Sequence, residues 1–229
     1  MVRYHLKRLA MPRTWLVNRK TNKYSVRPTG SGHPFELGIP AVYVFRDLLK
    51  MADNTREVRY MIFNKGILVN GNKIDDHRYL IGYLDVITIP ELKVSYRVVL
   101  TDKRKIDVVQ IDDKEANIKV KKIIGKTVLK GGKVQVNFSD GTNEISSEKY
   151  NIGDSVVFDI STKKIKEVLP LNEKALVAML FGQYAGMTGK VEKISGQTIF
   201  VNVGDKTYEA KREHVFVIGK AHAVVKVSP

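Results

Sequence analysis

The 229-residue chain has no cysteine. That excludes disulfides, cysteine-ligated zinc and thiol nucleophiles, and it suits a reducing compartment. Long apolar runs are missing as well. The longest, Ala175 to Phe181, falls far short of the roughly 18 to 20 residues a membrane-spanning helix needs. The start of the chain alternates charged and apolar residues and forms no signal core, so a soluble intracellular protein is expected. Acid is nearly absent from one end: residues 1 to 40 contain Glu36 alone against eight Lys or Arg.

Catalytic constellations are also lacking. His5, His33, His77, His214 and His222 form no zinc-binding HExxH pattern. Asp75-Asp76, Asp112-Asp113 and Asp140 sit beside turns or between strands, where Asp is common for its own backbone hydrogen bonds, so they do not read as acid–base pairs. Thr29-Gly30-Ser31-Gly32 lacks the Lys and the strand-to-helix setting of a phosphate-binding loop. No enzyme, metal, cofactor or small-molecule substrate is expected.

What the chain has is positive charge. Lys and Arg total 39 against 24 Asp and Glu, a formal net charge of +15. Such an excess points to a polyanion as partner. Nearly half of it lies in residues 1 to 40, where basic residues are interleaved with Tyr4, Trp15 and Tyr24 and broken by Pro12, Pro28, Pro34 and Pro40. Without a sustained period, this stretch reads as a basic extension with no core of its own. It would order by laying cations along phosphates and stacking aromatics on bases. A tail packed on the first domain is the alternative. At 43% hydrophobic, the rest can bury cores, and its changes of pattern suggest two or three small domains.

Residues 41 to 93 read as an RNA-binding module. After Pro40, Phe45, Leu48, Leu49 and Ala52 recur at helical spacing, predicting a helix over Val42 to Ala52. Asn54 can cap a second helix with Glu57 three residues on; Val58, Met61 and Ile62 give it one apolar face, and Arg56, Arg59 and Lys65 stand on others. Asn70-Gly71 predicts a tight turn, and Val86, Ile87 and Ile89 a strand entered through Asp85 and ended by Pro90. Two helices against a small sheet in this order resemble the S-four RNA-binding domain.

From Val94 the period changes to alternation, with turns at Asp102-Lys103-Arg104, Lys130-Gly131-Gly132 and Asp140-Gly141, predicting a central all-β barrel over residues 94 to 170. Within it, Gly153-Asp154 of YNIGDSVVFDI redirects the chain into a core strand. Residues 171 to 229 predict a second small barrel of five short strands. Its glycine-spaced loop, Gly182, Gly186 and Gly189, followed by Lys190-Val191-Glu192-Lys193-Ile194, resembles the KOW motif of SH3-like barrels.

The order of basic extension, S-four-like domain, β-domain and KOW-like unit resembles the archaeal and eukaryotic small-subunit ribosomal protein family called S-four-e. HLKRL with Pro12 and Trp15, RPTGSGHP from Arg27, VNG, GYLDVITI, YNIGDSVVFDI and HVFVIGK carry the likeness. Family members tend to have Lys after the turn glycine and Arg two residues later, where this chain has Asn72 and Ile74. The glycine loop, usually opened by paired glycines, opens here with Phe181-Gly182. The short ending after Lys220 suits an archaeal-type member. The resemblance implies an α+β multidomain protein, cytoplasmic in the ribosome, that binds small-subunit rRNA and meets neighbouring small-subunit proteins without catalysis. The expected RNA-binding residues are Arg3, His5, Lys7, Arg8, Arg13, Trp15, Arg19, Lys20, Lys23 and Arg27 in the extension, with Arg46, Lys50, Arg56, Arg59, Lys65, Lys73 and Arg78 in the S-four-like domain. Gly71, Asp85, Gly153, Asp154, Gly182, Gly186 and Gly189 are expected at structural turns.

Two rivals come from other classes. An RNA-modifying enzyme would need a catalytic domain of about 150 to 200 residues beside the S-four-like domain, which the remaining short strands do not supply. A transcription or translation factor holding protein partners through its KOW-like unit would not need the basic extension.

Overall fold

The computed structural model describes residues 5–146, 150–204, 206–220 and 222–227, which fall into two compact units dividing between Asn117 and Ile118. Arg3 lies outside the described residues.

In the first unit the basic extension is woven into the fold. Leu6–Lys7 pairs with Tyr24–Ser25, Gly38–Pro40 pairs with Leu80–Gly82, and Trp15 bridges to Ile106. Met11, Trp15, Leu37 and Ile39 are buried, with Trp15 only 1% exposed. The extension is therefore a strap, not a separable arm. It shows no period because each buried side chain fills a separate site on the unit, so no continuous face needs to form.

The strap leads into a helical turn, Ala41–Tyr43, that widens into a π-helical turn at Val44–Leu48. The regular helix expected as far as Ala52 ends early: Leu49 N–H donates to Val44 O, and Lys50 turns the chain with φ 51°. Asn54 then starts the second helix, Thr55–Lys65, as its composition predicts. Asn54 Oδ1 accepts from Arg56 N–H (2.9 Å) and Glu57 N–H (3.0 Å), while Glu57 Oε2 accepts from Asp53 N–H (2.8 Å). Two of the orphan donors at the helix start are thus satisfied, and Gly66 closes the other end in the left-handed region. Val58 and Ile62 fix the inward face by burial.

The sheet of this unit has five strands in the order Asn72–Lys73, Leu68–Val69, Val86–Ile89, Val94–Leu100, Ile106–Ile111. The domain boundary expected at Lys93–Val94 thus falls inside one sheet. Pro90–Leu92 form a 3₁₀ turn, Lys93 takes φ 52°, and Val94 pairs directly with Ile89. Alternation marked new strands correctly, but it carries no information about which sheet they join.

The second unit holds two five-stranded antiparallel sheets where two barrels were expected. One runs Asn143–Ser146, Val134–Phe138, Ile118–Val128, Ser155–Asp159, Lys164–Leu169, over a core of Ile123, Val136, Phe138, Tyr150 and Val156. The other runs Lys206–Lys211, Thr198–Val203, Thr188–Ser195, Leu176–Met179, Val215–Gly219. In both, the edge strands do not pair with each other among the described residues. Register shifts at Ile123/Gly125 and Val191/Lys193 bend the strands instead. The glycine loop works partly by close approach: a Cβ on Gly189 would lie 2.4 Å from the Asn202 carbonyl oxygen. Gly182 and Gly186 occupy the preceding turn, where Gly186 N–H donates to Met179 O (2.7 Å). At the other turn Gly153 N–H donates to Ile123 O, and the buried Asp154 accepts from Leu171 N–H (2.9 Å), fastening the two sheets' connection.

Three lysines of this unit, Lys119, Lys121 and Lys122, are buried. Lys119 and Lys121 both reach buried Asp140, at 3.0 and 3.2 Å, and Lys121 also lies 3.8 Å from the Phe158 ring centroid. Burial alone would raise the Asp140 pKa, but the two ammonium groups and the Thr142 hydroxyl hold it well below the carboxylate range. Lys122 spends its ammonium on the carbonyls of Arg212 (3.0 Å), Glu213 (2.8 Å) and Val215 (2.6 Å), linking the first sheet to the start of the last strand.

Candidate nucleic-acid interface

The expected RNA-binding residues separate into two populations. Some are engaged inside the fold. Arg8 is 6% exposed, and its guanidinium donates to the Asn18 carbonyl. Arg19 donates to Pro12 O (3.4 Å) and Leu9 O (2.5 Å). Trp15 donates through Nε1 to Gly38 O (2.6 Å) and packs beside Tyr43 and Phe35, so its ring is unavailable to a base. Arg46 pairs with Asp47 (2.9 Å) over the Tyr43 ring. These residues hold the strap to the unit.

The others face outward. Lys7, Arg13, Lys20, Lys23 and Arg27 are exposed along the strap, and Lys23 Nζ lies 5.5 Å from the centroid of Tyr24, which also meets His5 edge to face. Lys50 is exposed at the turn before the capped helix. On that helix Arg56 is exposed, and its guanidinium has no ion pair or hydrogen bond among the described residues. Arg59 packs against His77 at 3.3 Å, Lys65 pairs with Glu91 (2.9 Å), and Arg78 pairs with Asp76 (3.1 Å). Exposed pairs of this kind contribute about 0 to 1 kcal/mol, so an incoming phosphate can compete for their cations at little cost. Burial and the neighbouring Arg59 push the His77 pKa down, with Asp76 opposing, which favours the neutral ring.

Between strap and π-helical turn lies a polar recess of about 530 Å³ whose walls include Arg8, Tyr24, Tyr43, Arg46, Asp47 and Asp53. Its two carboxylates work against a phosphate. The cations open to an outside partner are those on the outer surface.

Asp85 is a structural hub, 1% exposed. It accepts from Gly82 N–H (2.7 Å) and Asn70 Nδ2 (2.9 Å), and His33 Nε2 lies 3.2 Å away. The RPTGSGHP and GYLD segments meet here: a Cβ on Gly82 would lie 2.1 Å from the His33 ring, so only glycine admits the strap at this point. Gly71 and Asn70 form the adjacent hairpin turn, both with positive φ, and exposed Lys73 follows.

Two residues on the helix were not anticipated. Tyr60 and Phe63 are 65% and 72% exposed, and Lys73 Nζ lies 5.9 Å from the Phe63 centroid. Their spacing with Arg56 and Arg59 was the available signal: positions 56, 59, 60 and 63 share one helical stripe.

Comparison with known proteins adds an independent line. The family model described as "Ribosomal family S4e" matches residues 92–165. A small ribosomal subunit protein eS4 of Methanocella arvoryzae is 39% identical over 228 residues, covering 97% of each chain. The protein of the same name from Methanothermobacter thermautotrophicus is 34% identical over 232 residues, covering 98% of this chain and 96% of its own. Among solved structures, the 30S ribosomal protein S4e of Thermoplasma acidophilum superposes with a TM-score of 0.71 at 24% identity, over 81% of this chain and 96% of that one. This last likeness concerns the fold.

Proposed function

The chain belongs to the small ribosomal subunit protein eS4 family, whose members are structural constituents of the small ribosomal subunit, and we propose that it binds the subunit's rRNA through its outward cations. The family is not an enzyme class. The observation that carries the RNA reading is the division among the cations: Arg8 and Arg19 are spent on backbone carbonyls, while Lys7, Arg13, Lys20, Lys23, Arg27 and Arg56 remain open to solvent. Such cations displace counterions from phosphates, which gives affinity with little sequence preference.

The S-four-like hairpin and helix would set orientation, and the strap's outer edge would extend the contact. The KOW-like last sheet adds less to RNA affinity: residues 171 to 229 carry eight Lys or Arg against five acids. Its aromatics are largely turned to each other, Phe181 against His214 and Tyr184 against Tyr208 at a centroid distance of 4.3 Å. Docking against neighbouring proteins of the subunit suits this face better.

Filter binding of the full chain to small-subunit rRNA across a salt series tests the proposal. If six to ten phosphate contacts form, raising salt threefold to fourfold weakens binding by about 10³ or more on the duplex DNA rule, with a shallower fall for RNA. Binding that does not respond to salt would contradict it.

A further inference from the structure

Helix Thr55–Lys65 presents to solvent a stripe that packing does not explain. Tyr60 and Phe63 stand outward at 65% and 72% exposure, one turn from each other, although large aromatic side chains are ordinarily drawn inward and the helix already buries Val58 and Ile62 on its opposite side. The rings are framed by cations: Arg56 and Arg59 on the same stripe, and Lys73 from the hairpin with its Nζ 5.9 Å from the Phe63 centroid. The nearest helix carboxylate, Glu57, is engaged by Asp53 N–H and Asn54 Nδ2 at the cap. Its charge is directed to the helix start, where it satisfies the backbone.

Rings and cations on one stripe match a ligand that alternates flat π-faces with negative charge. Paired RNA offers the charge but keeps its base faces stacked within the helix; unpaired RNA offers both. An acidic protein segment would complement the cations but would leave the rings without a matching surface.

Resting on the rRNA-binding reading above, we propose that this face takes unpaired nucleotides, whose bases stack on Tyr60 and Phe63 while Arg56, Arg59 and Lys73 meet the flanking phosphates. The site thereby selects single-stranded loops, bulges or ends over continuous duplex.

The test uses the full chain and two RNAs: a blunt hairpin, and the same hairpin carrying a short run of unpaired uridines with one 2-aminopurine. Affinities are measured by fluorescence anisotropy across a salt series for the native chain, the double variant Tyr60→Leu with Phe63→Leu, and Arg56→Gln. Leucine keeps an apolar side chain at positions that pack against little, and a matching melting temperature establishes that the variant is folded. The native chain is expected to prefer the tailed hairpin by about tenfold or more and to quench the 2-aminopurine. The double leucine variant should lose both the preference and the quenching with an unchanged salt slope, because stacking releases no counterions. Arg56→Gln should weaken both RNAs alike and reduce the slope.

A double leucine variant that keeps the preference and the quenching overturns the inference and leaves rRNA binding intact. Equal affinity of the native chain for the two RNAs does the same. Polyglutamate that binds in a Tyr60- and Phe63-dependent way, while RNA binding ignores those rings, overturns it in favour of an acidic protein partner. Failure of the native chain to bind either RNA overturns both this inference and the reading beneath it.

Discussion

The strap of residues 5 to 40 and the helix Thr55–Lys65 are both basic, both carry aromatics and both belong to the first unit, yet Trp15, Arg8 and Arg19 of the one turn inward where Arg56, Tyr60 and Phe63 of the other turn outward. In the strap, Trp15 is a core residue, and Arg8 and Arg19 satisfy carbonyls that irregular backbone would otherwise leave unpaired. In the helix, the backbone satisfies itself, an asparagine caps it, and Arg56, Tyr60 and Phe63 are released to the outside. Irregular chain consumes its polar side chains to fold, whereas regular chain can spare them. Composition counts Arg8, Arg19 and Arg56 alike as positive charge; of the three, only Arg56 is left open to a partner.

The largest expected effect breaks the strap. Trp15→Ala removes a fully buried indole and its bond to Gly38, and should cost about 3 to 5 kcal/mol in the stability of the first unit. For the same reason, removing residues 1 to 40 should leave that unit without a cooperative transition. Denaturant melts followed by circular dichroism decide both. A truncated chain that melts as the full chain does would restore the separable arm.

Lys122 sharpens the comparison from the second unit, because it is a cation spent entirely inward. Burial pushes its pKa down from the ordinary 10.5 to about 8. Below about pH 8 the ammonium is charged in both folded and unfolded chains, and its desolvation cost is fully present. Between about pH 8 and 10.5 the unfolded chain holds more protons, so the stability contributed by this group rises with pH. Lys122→Met should destabilise the unit by about 1 to 3 kcal/mol at pH 7 by orphaning three carbonyls, and the gap to the native chain should widen by on the order of 1 kcal/mol or more toward pH 10. Melts at matched pH values check the sign. A gap that narrows as pH rises would refute the assignment.

The smallest expected effect belongs to the helix. Arg56→Gln should change stability by no more than about 0.5 kcal/mol, since its guanidinium has no partner among the described residues. A large loss in the same melts would place Arg56 with the strap's internal cations.

Local chemistry made part of this legible beforehand. The Asn54 and Glu57 cap and the Asn70-Gly71 turn each depend on a few neighbouring residues, and the chain writes them out in order. The strap and the sheet boundary were not legible because they depend on distant partners. Trp15 meets Ile106 and Gly38, and Val94–Leu100 joins the strand preceding it as well as the one following. The outward cations of the helix follow from its apolar face, whereas the exposure of Tyr60 and Phe63 does not, because aromatics ordinarily belong to a core. Nothing near Lys119, Lys121 and Lys122 in the chain marks them as buried; Asp140 and the carbonyls of Arg212, Glu213 and Val215 that receive them come later.

The central claim is that the arginines divide between folding and binding, Arg8 and Arg19 within the strap against Arg56 on the helix, and arginine-selective modification by phenylglyoxal tests it most directly. Mass spectrometry would compare the folded chain alone with the chain bound to small-subunit rRNA. Arg56 should react when the chain is free and be protected by the RNA, while Arg8 and Arg19 should resist in both states and react only after denaturation. Ready reaction of Arg8 and Arg19 in the free chain, their protection by RNA, and an Arg56 that stays reactive throughout would contradict the account.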